Sequence, residues 1–407
     1  MKGLFEELKN LEMIPLKSLI DKMKNGYSGN QVLEETEYKV SRIETISDGT
    51  VNLKKVGFVE KNDKLNEYKL EFGDLLFSNI NSLAMVGKTA IFDFEQENLY
   101  AGMNLLIIRP KKNIDSKWLY YVINSYYFNQ LVKANAKHAI NQVSIPTSKI
   151  KELPIAYVDY QEQIKIRAYL DAKTSLIDEL IKAKENIINK ISQQRQSIIT
   201  EAVTKGLNSN VKMKDSGVEW IGEIPELWEV SKLKNLFILQ RGHDLTHEEF
   251  NEGEIPVYAS NGIMGYHNTI TTKGPNVTVG RSGSVGKVNY VETDFWAHNT
   301  CIYVKDNKKN NMKYIYYILK SLDMSNLSTQ TAVPTLDRKN IQNSNFVYTV
   351  DIEEQREIAL YLDRKLAQID TTVNLIDMQL KKLKEYRQAL IYEAVTGKID
   401  VREMEID

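Results

Sequence analysis

VDYQEQIKIRAYLDAKTSLIDELIKAKENIINKISQQRQSIITEAVT spans residues 158–204, and VDIEEQREIALYLDRKLAQIDTTVNLIDMQLKKLKEYRQALIYEAVT spans residues 350–396. The two stretches align without a gap at an offset of 192, and 19 of the 47 positions are identical. Chance would give only a few matches, so this is a duplicated element. The matches include Glu162-Gln163 with Glu354-Gln355, Tyr169-Leu170-Asp171 with Tyr361-Leu362-Asp363, and Arg195-Gln196 with Arg387-Gln388. The run Glu201-Ala202-Val203-Thr204 recurs as Glu393-Ala394-Val395-Thr396.

Each copy reads as one long helix. Neither Pro nor Gly occurs between Gln161 and Lys205 or between Glu353 and Thr396. In the second copy Leu362, Ile369, Ile376, Leu383 and Leu390 recur every seven residues, and Leu366, Val373 and Leu380 form a second row. That is an a/d seam. The first copy has Leu170, Ile177, Ile191 and Ile198 in one row and Ile181 and Ile188 in the other, with Lys184 as an interruption. Each helix runs into a glycine region, Lys205-Gly206 and Gly397-Lys398, where a C-terminal stop is expected. A seam alone suits any helical hairpin or bundle core. The spacing is more informative: about 145 residues separate the copies and about 155 precede the first, each enough for one globular domain.

The expected order is therefore domain, long helix, domain, long helix, with divisions at 1–157, 158–207, 208–349 and 350–407. A helix of about 44 residues is about 65 Å long at 1.5 Å per residue. The second domain joins the end of one helix to the start of the other. Parallel pairing would make it bridge that whole length; antiparallel pairing brings both attachments to one end. The fold class expected is α+β, with two β-rich domains separated by two long antiparallel coiled-coil helices in a pseudo-twofold duplication. Arg195 and Arg387 occupy matching polar seam positions, where such residues can fix register; a solvated coil end would place them there equally.

Both domains show short strand-like runs around polar loops. Gly73–Asn79 leads to Val86–Phe92 in the first, and Val277–Ser284 leads to Val285–Val288 in the second. Each is followed by an aromatic helical signal, Trp118–Ile123 and Tyr314–Leu319, and then by Pro146-Thr147 or Pro334-Thr335. The frameworks match and the loops differ, as expected of two readers of different targets. Candidate DNA-contacting residues are Asn79, Asn81, Ser82 and Lys88 in the first domain. The second offers Ser260, Asn261, Tyr266, His267, Arg281, Ser282, Ser284 and Lys287. Arg and Lys read guanine edges and Asn reads adenine, while Ser and Gly-rich backbone hold phosphates. Turns also require Gly and Asn for conformational reasons alone.

The run from Met213 to Trp228, MKDSGVEWIGEIPELW, the Glu-Gln…Leu-Asp…Arg-Gln…Glu-Ala-Val-Thr helices and the Gln330–Leu336 run QTAVPTL together resemble type I restriction-modification specificity subunits, essentially end to end. The resemblance implies a non-catalytic subunit whose two target-recognition domains each read half of a split double-stranded DNA site. It implies that the helices are spacers and docking surfaces, with Leu170, Ile177, Ile181, Ile188, Arg195, Leu362, Ile369, Leu383 and Arg387 on them. The implied partners are two methyltransferase subunits, with motor-nuclease subunits in the restriction complex. No cofactor is expected on this chain; S-adenosylmethionine, ATP and magnesium would reside on the partners. The first domain departs from the pattern: it starts at Met13-Ile14-Pro15-Leu16-Lys17, without the Trp-Ile-Gly-x-Ile-Pro opening. A spacer of about 45–65 Å corresponds to a gap of about 13–19 base pairs.

Other classes are poorly served. A 42% hydrophobic, 26% charged chain of 407 residues with net charge -1 is an ordinary globular protein whose nucleic-acid surface must be local. One cysteine, Cys301, precludes an intramolecular disulfide framework and fits a reducing cytoplasm. No signal peptide or membrane span is read, so a cytoplasmic protein is expected. Gly87-Lys88-Thr89 resembles the end of a Walker A loop, but Ser82 stands where its first Gly is required. Gly280, Gly283 and Gly286 have the wrong spacing for a dinucleotide fingerprint, and no Asn/Asp-Pro-Pro-aromatic run occurs. His243 and His247 could share a metal on a helix, but Gly242 and the lack of a third ligand argue against it. His298 and Cys301 belong to no triad pattern. Two alternatives remain: a coiled-coil scaffold that does not read DNA, and a fused restriction or modification enzyme.

Overall fold

The computed structural model describes residues 12–47, 49–139, 142–246, 249–250, 252–329 and 334–401. It mixes helix and sheet and divides into two compact units. One runs to Lys184 and resumes at Met378; the other is Glu185–Asp377. The division falls inside both long helices, so each unit owns half of each. The spacer segments read from sequence are thus parts of the units that they pack on.

The first unit is built on a four-stranded sheet ordered Ile20–Asn25, Leu105–Pro110, Leu75–Ser78, Thr89–Ile91. The second has a sheet ordered Ile238–Arg241, Cys301–Asp306, Asn276–Gly280, Val288–Val291, which is the same order along the chain. A three-stranded sheet also occurs in both. Lys39–Ser41 pairs antiparallel with Val56–Phe58 and parallel with Leu99–Tyr100. Ile255–Ala259 does the same with Gly262–His267 and Trp296–Ala297. Glu12–Pro15 pairs with Pro154–Tyr157 as Glu229–Lys232 pairs with Asn345–Tyr348. The Met13–Lys17 run therefore corresponds to Val230–Lys234. The Trp-Ile-Gly-x-Ile-Pro segment is a separate hairpin, Met213–Asp215 with Glu223–Pro225, that precedes this strand in the second unit.

The long helices are Tyr160–Lys205 and Ile352–Val395. Asp159 caps the first by accepting from the Glu162 N–H at 2.9 Å, and Asp351 caps the second by accepting from the Glu353 N–H at 2.9 Å. Gly397 takes φ +67°, and the Lys398 N–H returns to the Glu393 carbonyl at 2.9 Å, a Schellman ending. Within each unit one helix enters by its N-terminal half and the other by its C-terminal half. Leu170 and Ile177 join Leu390, Ile391, Ala394 and Val395 in the first core. Leu362 and Leu366 join Ile199, Ala202 and Val203 in the second. The repeated Ala-Val is thus core packing. Farther along, Ile181 and Leu383 are half-buried against the first core and Ile369 against the second, while Ile188 is half-buried. Among the described residues only the two helices contribute there, which leaves their outer faces exposed.

The halves run antiparallel in both units. In the first, Arg387 Nε and Nη2 donate to Asp178 at 2.8 and 3.0 Å, and Lys184 Nζ donates to Gln379 Oε1 at 2.7 Å. In the second, Arg195 pairs with Asp370. These are the same pair at the offset of 192. Exposed ion pairs add little stability, but a forked Arg–carboxylate contact has a narrow geometry and marks register.

The repeated Gln and Asp have a structural role that periodicity does not reveal. Gln163 is fully buried; its Oε1 accepts from the Asp115 N–H at 2.9 Å and its Nε2 donates to the Val158 carbonyl at 2.9 Å. Gln355 does the same with the Asn311 N–H at 2.8 Å and the Thr349 carbonyl at 2.9 Å. Asp171 accepts from Tyr121 Oη at 2.7 Å and faces Lys117 at 3.2 Å; Asp363 accepts from Tyr317 and faces Lys313 at 3.4 Å. These contacts clamp the aromatic helices Ser116–Asn124 and Met312–Ser321 onto the long helices. Each orphaned buried group costs about 1–3 kcal/mol. Gln355→Ala is therefore expected to lower the unfolding free energy by roughly 2–4 kcal/mol in urea titrations. A loss below about 0.5 kcal/mol would show that water replaces the amide at no cost.

Candidate nucleic-acid interface

In the second unit the buried strand Asn276–Gly280 turns into the loop Arg281–Lys287. The frame is closed by the Gly280 N–H donating to the Lys287 carbonyl at 2.8 Å and the Gly286 N–H donating to the Gly280 carbonyl at 2.8 Å. A Cβ at Gly280 would lie 2.0 Å from the Ser284 carbonyl oxygen and 2.8 Å from that of Ser260. Only glycine admits this approach. The turn Ser260-Asn261, which ends the hairpin Ile255–Ala259 with Gly262–His267, is thereby packed against the loop. Lys287 Nζ fastens the two by donating to the Asn261 carbonyl at 2.6 Å and to its Oδ1 at 3.0 Å.

Arg281 extends this surface to a cavity of about 340 Å³ that Arg241, Thr329, Thr335, Asp337, Arg338 and Lys339 also line. Its backbone anchors the region: the Arg281 N–H donates to the Thr300 carbonyl at 2.8 Å, and its carbonyl accepts from the Leu336 N–H at 2.9 Å. Arg338 Nη1 donates to the Leu239 carbonyl at 3.0 Å, which fixes that guanidinium at the strand end. Asp244 lies 3.3 Å from Arg241 and accepts from Asn299. That amide hydrogen bond, followed by the charge of Arg241, holds the Asp244 carboxyl below its usual range. Four cations against one lining carboxylate make a cavity suited to phosphate oxygens.

The first unit repeats the frame. The Ser78 N–H donates to the Lys88 carbonyl at 2.8 Å and the Gly87 N–H donates to the Ser78 carbonyl at 2.8 Å. Within it, Asn81 is spent on the turn: its Nδ2 donates to Ser78 Oγ at 3.1 Å and its Oδ1 accepts from the Ser82 N–H at 2.8 Å. Ser82 is exposed and Lys88 half-buried. A larger concavity of about 850 Å³ lies along the three-stranded sheet. Glu35, Glu37 and Glu97 outnumber Lys39 and Lys54 in its lining, which disfavours a polyanion.

The structure thus brings Ser260, Asn261, Ser284 and Lys287 together, with Arg281 and Ser282 adjoining, and it leaves Tyr266 exposed on the same hairpin. Two candidates do not present a surface. His267 is 4% exposed, its ring edge-on to Trp296 at 5.0 Å. Asn79 is 6% exposed, with a buried Oδ1 that lacks a hydrogen-bond partner. Arg241, Arg338 and Lys339 are not evident from sequence because, with Arg281, they join one cavity from three separated segments; Gln240-Arg241-Gly242, polar and glycine-broken at a strand end, is the available signal.

His247 and the Gln330–Val333 part of the QTAVPTL run lie outside the described residues. Among the described residues no group of three or more His, Cys, Asp or Glu could hold a metal, and no helix is long and apolar enough to cross a membrane. Cys301 is buried, its thiol pushed up to about 12 by burial, so it is a poor nucleophile.

The model of the type I restriction modification DNA specificity domain matches residues 9–191 and 225–382. The chain is 29% identical over 411 residues to a putative type I restriction enzyme MjaX specificity subunit of Methanocaldococcus jannaschii, covering 96% of this chain and 94% of that one. It is 24% identical to the type I restriction enzyme EcoKI specificity subunit of Escherichia coli, over 52% of this chain and 44% of that one. Its fold is similar to that of a chain solved in work on complex assembly and conformational transition of the type I R-M system. That match has a TM-score of 0.73 at 12% identity and covers 95% and 98% of the two chains. The HsdS subunit from Thermoanaerobacter tengcongensis matches with a TM-score of 0.50 at 14% identity, over 95% and 97%.

Proposed function

The chain belongs to the type I restriction-modification DNA specificity family, and from that premise we propose that it is the non-catalytic reader of a bipartite DNA site, one unit on each half. The observation that carries this reading is the loop frame. Both units close it with the same two backbone hydrogen bonds, while the side chains on it differ: Asn81 and Ser82 in one, Arg281, Ser282 and Ser284 in the other. A constant frame with changed side chains is what two readers of different half-sites need. The cavity of Arg241, Arg281, Arg338 and Lys339 supplies backbone contacts that position the loop.

Under this proposal the long helices are the spacer, paired as an antiparallel coiled coil, and the two units are products of one duplication related by a pseudo-twofold axis. Helices of 46 and 44 residues are about 65–70 Å long, and because the ends of each pack into the unit cores an effective spacer of about 45–65 Å favours an unread gap of about 13–19 base pairs. They also offer sites for two methyltransferase subunits, with motor-nuclease subunits joining the restriction complex. Leu176, Leu180 and Tyr386 are exposed on the helix halves of the first unit, and Ile187, Tyr361 and Leu375 on those of the second. At 100° per residue these lie about 100° from the seam in the same sense, which within each unit's antiparallel pair of helix halves is one side of the pair. Exposed apolar rows of this kind mark helix docking.

The test is to express the chain with its methyltransferase subunit and map modified bases across a host genome. The expected result is a split motif with one methylated base in each half and a fixed gap. A continuous motif, or methylation independent of this chain, would favour a scaffold instead.

A further inference from the structure

The edge strand Gly262–His267 is unusual for an edge. Ile263 and Met264 are 51% and 46% exposed, and Tyr266 is 55% exposed. The pairing explains the first two. Val257 opposes Gly265 and Tyr258 opposes Ile263, which leaves Met264 unpaired as a bulge. A bulge breaks the alternation of faces and re-aims side chains, so two consecutive apolar residues are both open to solvent. Exposed apolar edges invite association and are normally blunted by charge; none of residues 262–267 is Lys, Arg, Asp or Glu.

What surrounds this apolar tip selects its occupant. Asn261, two residues before Ile263, is held by Lys287. A Cβ added at Gly280, next to Arg281, would lie 2.8 Å from the Ser260 carbonyl oxygen, so the tip and that loop lie close together. The tip therefore projects from a basic, phosphate-suited surface, which fits a nucleic acid better than an apolar protein face. A β-ribbon fits the major groove, and the one apolar group on the base edges there is the thymine 5-methyl. We propose that Ile263 and Met264 read thymine methyl groups in the half-site of the second unit. This rests on the DNA-reading function proposed above and names a chemistry for it: one unit adds apolar readout to its polar loop. The corresponding strand of the first unit, Val56–Phe58, has three residues and carries no such exposed pair.

The experiment uses the full chain copurified with its methyltransferase subunit. Each thymine of both half-sites is replaced singly by deoxyuridine, and affinity is measured by competition at fixed salt. Removal of one contacted methyl is expected to weaken binding about four-fold at one or more thymines, all in the same half-site. In Ile263→Ala/Met264→Ala that penalty disappears while the other half-site is read as before. Both side chains are exposed, so the thermal midpoint should not move; Met264→Gln alone serves as a second variant that keeps the length of the side chain. A deoxyuridine penalty that is absent in the wild type, or unchanged in the variants, overturns the proposal while leaving sequence-specific binding intact. Loss of the methyltransferase subunit from the double variant would overturn it in favour of a protein occupant. Absence of any sequence-specific binding by the wild type would instead defeat the DNA-reading function itself.

Discussion

Under the proposed function, Gly280→Val is expected to abolish recognition of one half of the DNA site and to leave the other half read. The Cβ that valine adds would sit 2.0 Å from the Ser284 carbonyl oxygen and 2.8 Å from the Ser260 carbonyl oxygen, and both obstacles are backbone. The strand below is buried along all five residues, so the loop must move rather than the sheet. Moving it separates Arg281 from its cavity and breaks the Lys287 tie to Asn261. Binding geometry must hold to about 0.5 Å, and a displacement of 1 Å costs about a hundred-fold. Methylation of the full site should fall by about that factor. The residual activity should not distinguish duplexes altered in that half, yet should still require the other half. Urea unfolding of the first unit should not change, since Gly280 lies in the second. An unaltered motif would show that this loop is not part of the reading surface.

The long helices were legible because their evidence is local: a seven-residue repeat free of Pro and Gly needs no knowledge of distant contacts. The second unit's loop was legible for a related reason, since closely spaced glycines between strand-forming runs mark a turn wherever they fold. What stayed hidden depends on the fold. Identity of Gln163 with Gln355 and of Asp171 with Asp363 is visible in the sequence, but their partners lie 44–50 residues away on the aromatic helices. Asp178 and Asp370 look like ordinary solvated charges until antiparallel pairing sets them against Arg387 and Arg195. His267 and Asn79 mislead in the opposite way. Polar residues beside a turn read as surface, yet a curled hairpin places one against Trp296 and a strand junction buries the other.

Deleting Glu185–Ile191 together with Asn374–Leu380 is expected to change the gap between half-sites and neither half-site sequence. Under the spacer proposal the two segments oppose each other, because the Asp178–Arg387 and Arg195–Asp370 pairs each sum to 565, as do 185 with 380 and 191 with 374. Removing both keeps the seam in phase and retains both ion pairs. Under the spacer proposal it shortens the coil by about 10.5 Å, or about three base pairs. The helices rotate by only about 20° per heptad, whereas three base pairs turn the DNA face by about 100° at 10.5 base pairs per turn. The shortened protein can therefore use its new gap only by twisting or bending the DNA, which costs affinity. The expected methylome is a motif with both half-sites unchanged, a gap two to four base pairs shorter and slower modification. Deleting only one segment leaves Arg195 and Asp370, or Arg387 and Asp178, two turns out of step, and should unfold the pairing rather than shift the motif. If the double deletion altered a half-site while the gap stayed fixed, the helices would not be the spacer, and the loops would owe their placement to something other than coil length.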